Sequence, residues 1–526
     1  MSRTRCSIFA TLAMGLAGGA ATTLAQSSVE GAWESQMSWG IRSVHLIMLR
    51  TGEVLVLDQP QTGQVDTALF NPTTGALTTS VPQQITDGRN VFCSGHSQTA
   101  TGSILIVGGD DSPPGTVDVF LYDPSQPNQS WNARRLSSDS MPNDRWYPTC
   151  TTLGSGKILI SGGRDDPPNQ TCDWPDPVMP ANRVLLFDIT KAPGERYSEP
   201  ETGSVPIHEF MFYPYMAVRS NGQVLYAGSN DHVEECNLPH NSYQLNISSG
   251  AWSLFGEYFR YGTSAAIYKP DGVVKIGTNQ AGETGTGYCS DQARKSAWKQ
   301  DSSSGQSTWT QLPCMNRERT AGQLLVFPDG KIGVFGGAYE GTDDQKKRPE
   351  WTDPDASPAL DWTALAPGQT IRAYHSAAVL LPDARVLFAG GEIISTAEIF
   401  KPPYLFKADN SSAESLRPVI TAPAANALVK YDTSFDITLN SNGDYADIEQ
   451  VVLMRLGAAT HSFDQDARRV PLEFTLKTIN GPVQAAAPAH SHLAPPGYYM
   501  LFVLKQGDRA GIQFPSVARI VRVGAS

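Results

Sequence analysis

Charged side chains and long apolar runs are both scarce in this sequence. Only 17% of its 526 residues are charged, and acidic residues outnumber basic ones, giving a formal net charge of −12. The basic surface that nucleic-acid binding requires is missing, so we expect no nucleic-acid partner. Beyond the first residues, no segment reaches the ~20 apolar residues of a membrane span, and we expect no membrane association. A small neutral or cationic partner is compatible with this charge.

The start of the chain carries the longest apolar run. Two arginines precede an apolar, small-residue segment from Ile8 to about Ala21, and a cleavage site follows at Ala25. This order is typical of a secretory signal peptide. A membrane anchor is the alternative, but the run is short for a span. We therefore expect residues 1–25 to be removed and the mature protein to be secreted or periplasmic.

Cysteine is also sparse. Removal of the signal peptide leaves six cysteines, which are Cys93, Cys150, Cys172, Cys236, Cys289 and Cys314. In an oxidising compartment the simplest expectation is three disulfides. Sequence proximity favours the pairs Cys289 with Cys314 and Cys150 with Cys172, although connectivity cannot be read from sequence.

Glycine and proline, in contrast, are abundant, with 47 and 37 residues, as is typical of a turn-rich β protein. One pattern occurs seven times: an apolar strand, a turn, a second apolar strand and usually a small-residue end. The copies span residues 43–58, 96–109, 148–163, 213–228, 262–277, 321–337 and 374–391. Six of the turns carry glycine, which adopts positive φ at little cost, and the seventh has Ala384.

The spacing of the copies, roughly 50 to 66 residues, suits a four-stranded kelch-like blade. Strands this short cannot bury both faces alone, and stacking blades around an axis completes their core and protects their edges. We therefore predict a seven-bladed kelch-type β-propeller over residues 26–410. A β-sandwich is the alternative, but it gives no reason for the Gly-Gly that recurs after the second strand.

After Gly391 the pattern changes. A polar, serine-rich stretch at residues 409–415 has the composition of a linker. From Arg417 onward, short alternating strands suit a small sandwich. We predict a C-terminal immunoglobulin-like β-sandwich over residues 417–526 and an all-β protein overall.

Four short segments at the edges of these repeats carry candidate functional residues. They are NVFCSG with Cys93, DRWYPT with Tyr147, IRAYHS with Tyr374 and His375, and THSFDQDARRVPL with His461. Two imidazoles with phenolates form a nitrogen and oxygen ligand set that suits Cu(II). Zinc would recruit thiolates or a third histidine, and calcium would need carboxylates. Each residue taken singly also fits a packing role with one satisfied hydrogen bond.

The adjacency of Tyr374 and His375 constrains the local backbone. Neighbours in a regular strand face opposite sides of the sheet, so both can be ligands only where the strand begins. The pair directly precedes the seventh SAAVLLPD strand, which meets that requirement.

At these residues the sequence resembles the galactose oxidase and glyoxal oxidase family of copper radical oxidases. The likeness runs from about Gly31 to the C-terminus, through RAYHSAAVLLPDARVLFAGG, IFKPPYLF, THSFDQDARRVPL and APPGYYMLFVL. It is closer to the glyoxal oxidase-like members, because the mature chain begins almost directly with the first blade. We expect no N-terminal carbohydrate-binding module.

The resemblance implies one copper ion held by Tyr147, His375 and His461, with Tyr374 as axial ligand and general base. It also implies a thioether bond that joins Cys93 to Tyr147 and makes this phenol a stored radical, so Cys93 is withheld from the disulfides. His461 belongs to the C-terminal domain, which must then reach the propeller. Such a site oxidises a primary alcohol or a small aldehyde with dioxygen and releases hydrogen peroxide.

The resemblance is weaker at the substrate pocket. The tryptophan that galactose oxidase stacks on its modified tyrosine would fall where this chain has Arg164 and Asp165. Phe92, Arg164 and Trp174 are our pocket candidates. Trp146 and Trp174 could replace the missing tryptophan, or they could be packing residues.

Two functions from different classes follow. The first is a monomeric copper radical oxidase that acts on a small alcohol or aldehyde. The second is a non-catalytic secreted kelch propeller that binds glycan or protein, because a fold alone does not fix function.

Overall fold

The computed structural model describes residues 26–59, 66–79, 90–110, 116–164, 184–199, 212–229, 242–256, 263–277, 295–301, 308–338, 341–440, 445, 447–477 and 481–525. The predicted signal peptide lies outside these residues. Helices in the described part are single turns, at Ser27–Glu30, Trp131–Arg134, Asp343–Lys346, Ser137–Asp139, Pro403–Leu405 and Glu414–Leu416. None of the helices in these ranges is long and apolar enough to cross a membrane. The prediction of an all-β protein is confirmed.

The strands of the repeat region are short and mostly buried. The first are β1 (Ala32–Trp33), β2 (Met37–Ser38), β3 (His45–Met48), β4 (Val54–Leu57), β5 (Thr67–Asn71), β6 (Ala76–Thr78), β7 (Gly95–Gln98), β8 (Ile104–Val107), β9 (Val119–Tyr122), β10 (Trp146–Thr152), β11 (Ile158–Arg164), β12 (Leu185–Phe187), β13 (Tyr197–Ser198) and β14 (Pro214–Val218). They continue with β15 (Val224–Ser229), β16 (Ser242–Asn246), β17 (Ala251–Gly256), β18 (Ser264–Lys269), β19 (Gly272–Ile276), β20 (Ala297–Asp301), β21 (Trp309–Gln311), β22 (Gln323–Val326), β23 (Ile332–Phe335), β24 (Glu350–Thr352), β25 (Thr363–Ala364), β26 (Ser376–Leu380), β27 (Val386–Gly390) and β28 (Thr396–Lys401).

Each of the seven repeats forms the first two strands of its own antiparallel sheet. The outer strands extend these pairs to the orders β7-β8-β9, β10-β11-β12-β13, β14-β15-β16-β17, β18-β19-β20-β21 and β22-β23-β24-β25. The last repeat supplies β26-β27-β28, and the N-terminal β1 and β2 pair with β28, so the two ends of the repeat region meet in one sheet. The first strands contact one another in chain order, from β7 through β10, β14, β18 and β22 to β26, and β26 contacts β3.

Five of the six turn glycines have the positive φ that the sequence predicts. Gly52, for example, has φ +89° and Gly330 has φ +91°. Gly272 is the exception, because Asp271 takes the positive φ (+56°) in that turn instead. An aspartate tolerates this left-handed conformation better than most residues, so the turn survives the shift.

The recurring Gly-Gly lies next to a buried arginine in at least two repeats and has a backbone conformation that favours glycine. The Arg319 guanidinium donates to the carbonyl of Gly336 at 2.6 Å, and Arg372 donates to the carbonyl of Gly390 at 2.7 Å. Both glycines have positive φ, near +71° and +78°, and a Cβ at Gly390 would lie 2.6 Å from the carbonyl oxygen of His375. A side chain at this position is therefore excluded by both conformation and space.

The C-terminal region forms a two-sheet β domain. Its strands are β29 (Ile420–Ala422), β30 (Leu428–Lys430), β31 (Ser434–Leu439), β32 (Ile448–Arg455), β33 (Ala458–Thr460), β34 (Phe463–Asp464), β35 (Arg469–Leu472), β36 (Phe474–Leu476), β37 (Val483–Ala486), β38 (Gly497–Gln506), β39 (Gln513–Pro515) and β40 (Arg519–Gly524). One sheet has the order β29-β31-β37-β36, and the other has the order β30-β40-β38-β32-β35 with β39 on β38.

Strands β33 and β34 leave this domain and join the first repeat sheet, in the order β34-β33-β3-β4-β5-β6. Thr460 lies opposite His45, and β33 also contacts β7, so it fills the space between β3 and β7. β34 contacts β18, β22 and β26 on the other side of the ring. We call residues 458–469, which contain both strands, the plug.

Hydrogen bonds connect the plug to the first strands of five of the other six repeat sheets and to Ala321, two residues before β22. The Gln465 side-chain oxygen accepts from the backbone N–H of His96 (3.1 Å) and of Cys150 (2.9 Å). The remaining bonds are Arg468 to the Val218 carbonyl, Ile267 N–H to the Ala467 carbonyl, the Ser462 hydroxyl to the Ala321 carbonyl and Ser462 N–H to the Ser376 carbonyl. The plug therefore fixes the C-terminal domain to the whole ring of inner strands.

Candidate metal centre

Five residues that are distant in sequence meet at one end of the inner strands. His461, at the tip of the plug, is the common neighbour of the other four. Its Nε2 lies 3.5 Å from the Cys93 sulfur, and its ring centroid lies 4.9 Å from that of Tyr147, 5.5 Å from that of Tyr374 and 4.8 Å from that of His375. The structure thus brings together every residue that the sequence proposed as a ligand, together with Cys93. Their roles as ligands stay a prediction.

An unusual backbone conformation places these side chains. Cys93 and Tyr147 both have φ +64°, His375 has φ +62° and His461 has φ +45°. Residues other than glycine rarely adopt such values, and each costs on the order of 1 kcal/mol or more. The positive φ of His375 falls directly before β26 begins at Ser376. The ring of Tyr374 then stacks on that of His375, with centroids 3.8 Å apart, so both face one space.

The two tyrosines form a phenol pair. Their hydroxyl oxygens, Tyr147 Oη and Tyr374 Oη, are hydrogen-bonded to each other. Burial raises the pKa of both phenols, and the neighbouring Cys93 raises the pKa of each further. Both are therefore neutral in the metal-free protein, and a metal cation would have to displace their protons.

His375 is buried without a hydrogen-bond partner. A Glu392 carboxylate oxygen lies 2.9 Å from its Nδ1 but outside hydrogen-bonding geometry, and both ring nitrogens are unpaired within the described residues. Burial, together with the positive charge of Arg42, lowers the pKa of His375 to about 3, so the ring is neutral. Leaving a buried polar atom unpaired costs ~1–3 kcal/mol, and a metal ion would remove that cost.

The donor set fits copper better than the alternatives. Within the described ranges, no group of three or more His, Cys, Asp or Glu side chains could hold a metal ion. A metal at this position would therefore depend on the two phenols as well as the two imidazoles. This nitrogen and oxygen set suits Cu(II).

Two residues that the sequence did not single out orient His461. Its Nδ1 lies 2.7 Å from the Thr460 hydroxyl and 3.4 Å from Tyr213 Oη. The Tyr213 hydroxyl donates its own proton to the Ser94 carbonyl at 3.0 Å, so its oxygen is left to accept from Nδ1. These contacts favour the tautomer protonated on Nδ1, with the Nε2 lone pair directed towards Cys93 and Tyr147.

The signal that could have identified Tyr213 lies in the repeats. Tyr213 occupies the same place in its repeat as Tyr147 and His375 occupy in theirs, next to the first residue of the inner strand, and its φ is also positive, at +40°. This equivalence of position is the signal for Tyr213 in the sequence.

Cys93 is a buried thiol that forms no disulfide; its predicted thioether bond to Tyr147 stays a prediction. Burial raises its pKa, and its side chain is hydrogen-bonded to Tyr147. The backbone N–H of Tyr147 also donates to the Cys93 carbonyl at 3.0 Å. The two side chains are neighbours, as a thioether bond between them would require.

The predicted pairing of Cys150 with Cys172 is wrong. Cys150 is free and fully buried, and its sulfur would lie 3.3 Å from a Cβ at Gly95 on the neighbouring inner strand. The thiol therefore points into the wall of the ring rather than towards a surface loop. Cys314 is disulfide-bonded, but its predicted partner Cys289, like Cys172 and Cys236, lies outside the described residues.

Aromatic rings surround the Tyr147 phenol. The ring of Trp146 is 4.4 Å away at an interplanar angle of 61°, that of Phe212 is 5.2 Å away and that of Tyr213 is 5.0 Å away and perpendicular. Trp146 thus contacts the phenol edge-on. This geometry permits Trp146 to shield Tyr147, the role that the sequence left open for it.

The pocket candidates divide into three cases. Phe92 lies beside both imidazoles, with ring centroids 5.0 Å from His375 and 5.7 Å from His461. Arg164 ends β11, where its backbone pairs with Trp146, and its side chain is not described. Trp174 lies outside the described residues.

Comparison with known proteins gave three kinds of match. Residues 417–523 match the family model "Galactose oxidase-like, Early set domain". The chain is 26% identical to "Aldehyde oxidase GLOX" from Vitis pseudoreticulata, over 96% of this chain and 99% of that protein. It is 27% identical to "Galactose oxidase" from Gibberella zeae, over 87% of this chain and 64% of that protein.

Among solved structures, the chain is similar to a novel fungal alcohol oxidase of the AA5 family in complex with copper. The TM-score is 0.73 and the identity is 22%, over 94% of this chain and 99% of that one. At this identity the match establishes a common fold, including the C-terminal β domain.

Proposed function

Because the chain is related over most of its length to the galactose oxidase and glyoxal oxidase family, as its sequence predicted, we propose that it is a copper radical oxidase. The observation that carries the proposal is the meeting of Cys93, Tyr147, Tyr374, His375 and His461 around one space. The enzyme oxidises a primary alcohol, or a small aldehyde as its hydrate, and is exported from the cell after loss of residues 1–25.

In this proposal Tyr147, Tyr374, His375 and His461 would hold one copper ion. Bound copper would supply one of the two oxidising equivalents that alcohol oxidation needs, and the radical form of Tyr147, cross-linked to Cys93, would supply the other. Tyr374 accepts the hydroxyl proton of the substrate, and the Tyr147 oxygen accepts the hydrogen atom from carbon. Both electrons pass to dioxygen, so RCH2OH and O2 give RCHO and H2O2.

The unpartnered His375 supports the oxidase over a non-catalytic binding protein. A purely structural imidazole in a buried position is expected to be hydrogen-bonded, yet in the described part of the chain neither nitrogen of His375 makes a hydrogen bond, although a Glu392 carboxylate oxygen lies 2.9 Å from Nδ1. A protein that only binds glycans or other proteins gains nothing from this arrangement.

We further propose that the repeat region, residues 26–410, is a seven-bladed kelch-type propeller and that residues 417–526 form an immunoglobulin-like sandwich. The seven repeat sheets and the succession of contacts between their inner strands support the first. We also propose that the protein acts as a monomer, because all five residues of the candidate centre belong to one chain.

The substrate belongs to the class of small alcohols and aldehydes. Phe92 is its best-supported contact, because it lies against both imidazoles. Arg164 and Trp174 stay candidates for the same pocket.

The decisive experiment is peptide mass measurement after copper loading in air. We expect the peptides that contain Cys93 and Tyr147 to be joined, with the loss of two hydrogens, and peroxide to be released with an alcohol and aldehyde panel. The Cys93→Ser variant should fold and bind copper but turn over slowly. Cys150→Ser is the matched control, since Cys150 is an equally buried free thiol and should leave the cross-link intact. Separate, unmodified peptides in the unaltered protein would favour the non-catalytic propeller.

A further inference from the structure

A cavity lies between residues 463–468 of the plug and the inner strands β10, β14 and β18. Its volume of about 40 Å³ exceeds the roughly 10–15 Å³ that one water molecule needs. On the strand side its wall includes Tyr215, Ala217 and Ala265, and on the plug side it includes Phe463. The mechanism above makes no use of this space.

The cavity lies next to the candidate metal centre. Tyr215 follows Tyr213 by two residues along the chain, and Phe463 follows His461 by two. The rings of Tyr215 and Phe463 are in contact, with centroids 4.7 Å apart. The apolar cluster that contains these two rings also contains Cys93 and Tyr147. Only one layer of side chains therefore separates the cavity from the centre.

The charged groups on the plug side are already paired. Arg455 donates to Asp466 at 2.9 Å, and Arg468 donates to the carbonyls of Val218 at 2.7 Å and Leu493 at 3.1 Å. Because both guanidinium groups already have partners, we do not expect the cavity to bind an anion.

Two polar atoms of the cavity wall lack a hydrogen-bond partner within the described residues, Thr151 Oγ1 and Gln465 Nε2. They can hold ordered water at their end of the cavity. The side formed by Ala217, Ala265 and Phe463 offers only apolar atoms to an occupant.

Exposed residues border the centre at His375, outside the cavity wall. The side chain of Glu392, whose carboxylate is 2.9 Å from His375 Nδ1, is 66% exposed, and the next residue, Ile393, is 88% exposed. Neither residue lines the cavity.

We propose that this cavity binds dioxygen and supplies it to the metal centre from within, separately from the organic substrate. Dioxygen is small and apolar, and apolar cavities of this kind bind gases such as xenon. This role rests on the proposed oxidase function. The dioxygen takes up the two electrons and two protons removed from the alcohol and leaves as hydrogen peroxide.

Xenon binding tests the proposal on the full-length, copper-loaded protein without reference to activity. We expect crystals under xenon pressure to show xenon between Ala217, Ala265 and Phe463. Valine at Ala217 or Ala265 should displace it. Absence of xenon from the cavity of the unaltered protein would overturn the proposal, whether or not the variants fold.

Steady-state kinetics provide the second test. Ala265→Val should raise the KM for dioxygen about fivefold and leave unchanged both the KM for the alcohol and the kcat at saturating dioxygen. Ala297→Val is the control, because Ala297 is a buried alanine of the same sheet that does not line the cavity. An unchanged KM for dioxygen in an active variant that has lost xenon overturns the dioxygen role alone. Xenon in the cavity of a protein that forms no cross-link and no peroxide overturns the oxidase function as well.

Discussion

At the residue scale, the conformation that places the candidate ligands belongs to the repeat and not to the metal centre. Positive φ recurs within two residues of the start of the inner strand in six of the seven repeats, at Ser43, Cys93, Tyr147, Tyr213, Ala321 and His375. Ser43 and Ala321 have this conformation without any candidate role in metal binding. The repeated backbone therefore provides a set of equivalent positions, and four of them carry residues of the candidate centre. Tyr374, next to His375, and His461 of the plug complete it.

The contacts of His461 lead to a prediction about copper affinity. Thr460→Val and Tyr213→Phe each remove an oxygen that faces Nδ1, so the ring loses its fixed tautomer. We expect each variant to bind copper about tenfold more weakly or worse, measured by competition with a chelator on the metal-free protein.

Tyr431→Phe is the matched control for these variants. Its hydroxyl donates to the Ala494 carbonyl at 2.7 Å, a bond similar to that of Tyr213 but within the C-terminal domain. Copper affinity should not change in this variant. Equal losses in Tyr213→Phe and Tyr431→Phe would show that destabilisation, and not orientation of His461, weakens binding.

Single-residue features differ in how well the sequence predicts them. The position of His375 at a strand entrance could be inferred, because it depends on the order of residues along one strand. The role of Tyr213 could not be inferred, because that role depends on the contact of Tyr213 with His461, which is distant in sequence. The pairing of Cys150 failed for the same reason, since proximity in sequence does not tell which way a strand residue points.

At the scale of single elements, the last repeat sheet is held together by a buried ion pair. Arg372 binds Glu398 at 3.0 Å, and both side chains are fully buried. Removing one partner leaves the other charge buried and unpaired, which costs ~3–5 kcal/mol. Arg372→Met should lower the free energy of unfolding by about this amount, measured by urea denaturation.

Arg385→Met serves as the comparison. Arg385 pairs with Glu34 and Asp383, but these side chains are partly exposed, and such pairs contribute ~1 kcal/mol or less. A loss in Arg372→Met no larger than that in Arg385→Met would contradict the structural importance of the buried pair.

The plug contains a carboxyl group that should make stability depend on pH. Burial raises the pKa of Asp464 from 3.8 to about 6. Because the folded state binds this proton more tightly than the unfolded state, the contribution to stability is full below pH 4 and is lost as the pH rises through 6. The loss amounts to about 3 kcal/mol.

Asp464→Asn keeps an oxygen for the N–H groups of Ala458 and Asp466 but cannot ionise. Between pH 4 and 7 the unaltered protein should therefore lose stability relative to this variant, measured by urea denaturation at each pH. Parallel curves for the two proteins would show that Asp464 has an ordinary pKa.

At the scale of the whole molecule, the plug joins what the sequence presents as two domains. It pairs with β3 and is hydrogen-bonded to the inner strands of five other repeat sheets and to Ala321, just before the inner strand of the sixth. We expect the mature chain to unfold in one cooperative transition, with equal calorimetric and van't Hoff enthalpies. Two separate transitions by differential scanning calorimetry would contradict this coupling.

Much of the architecture could be predicted from the sequence because the repeat hairpins are local. Each repeat forms its two strands within about 16 residues, and the turn between them is set by its own residues. The pairings that close the structure are remote: β1 joins β28, and β33 joins β3. No local pattern specifies such partners, so the N-terminal strands on the last repeat sheet were not foreseen.

The position of His461 also has a consequence for biosynthesis. A ribosome that has completed all seven repeats has still not made this residue, which lies in the last part of the polypeptide. On the proposed ligand set, a product truncated before that point has only three of the four metal ligands, however well its repeats have folded. On that ligand set, the site is completed only in molecules that have been translated beyond the repeats as far as His461.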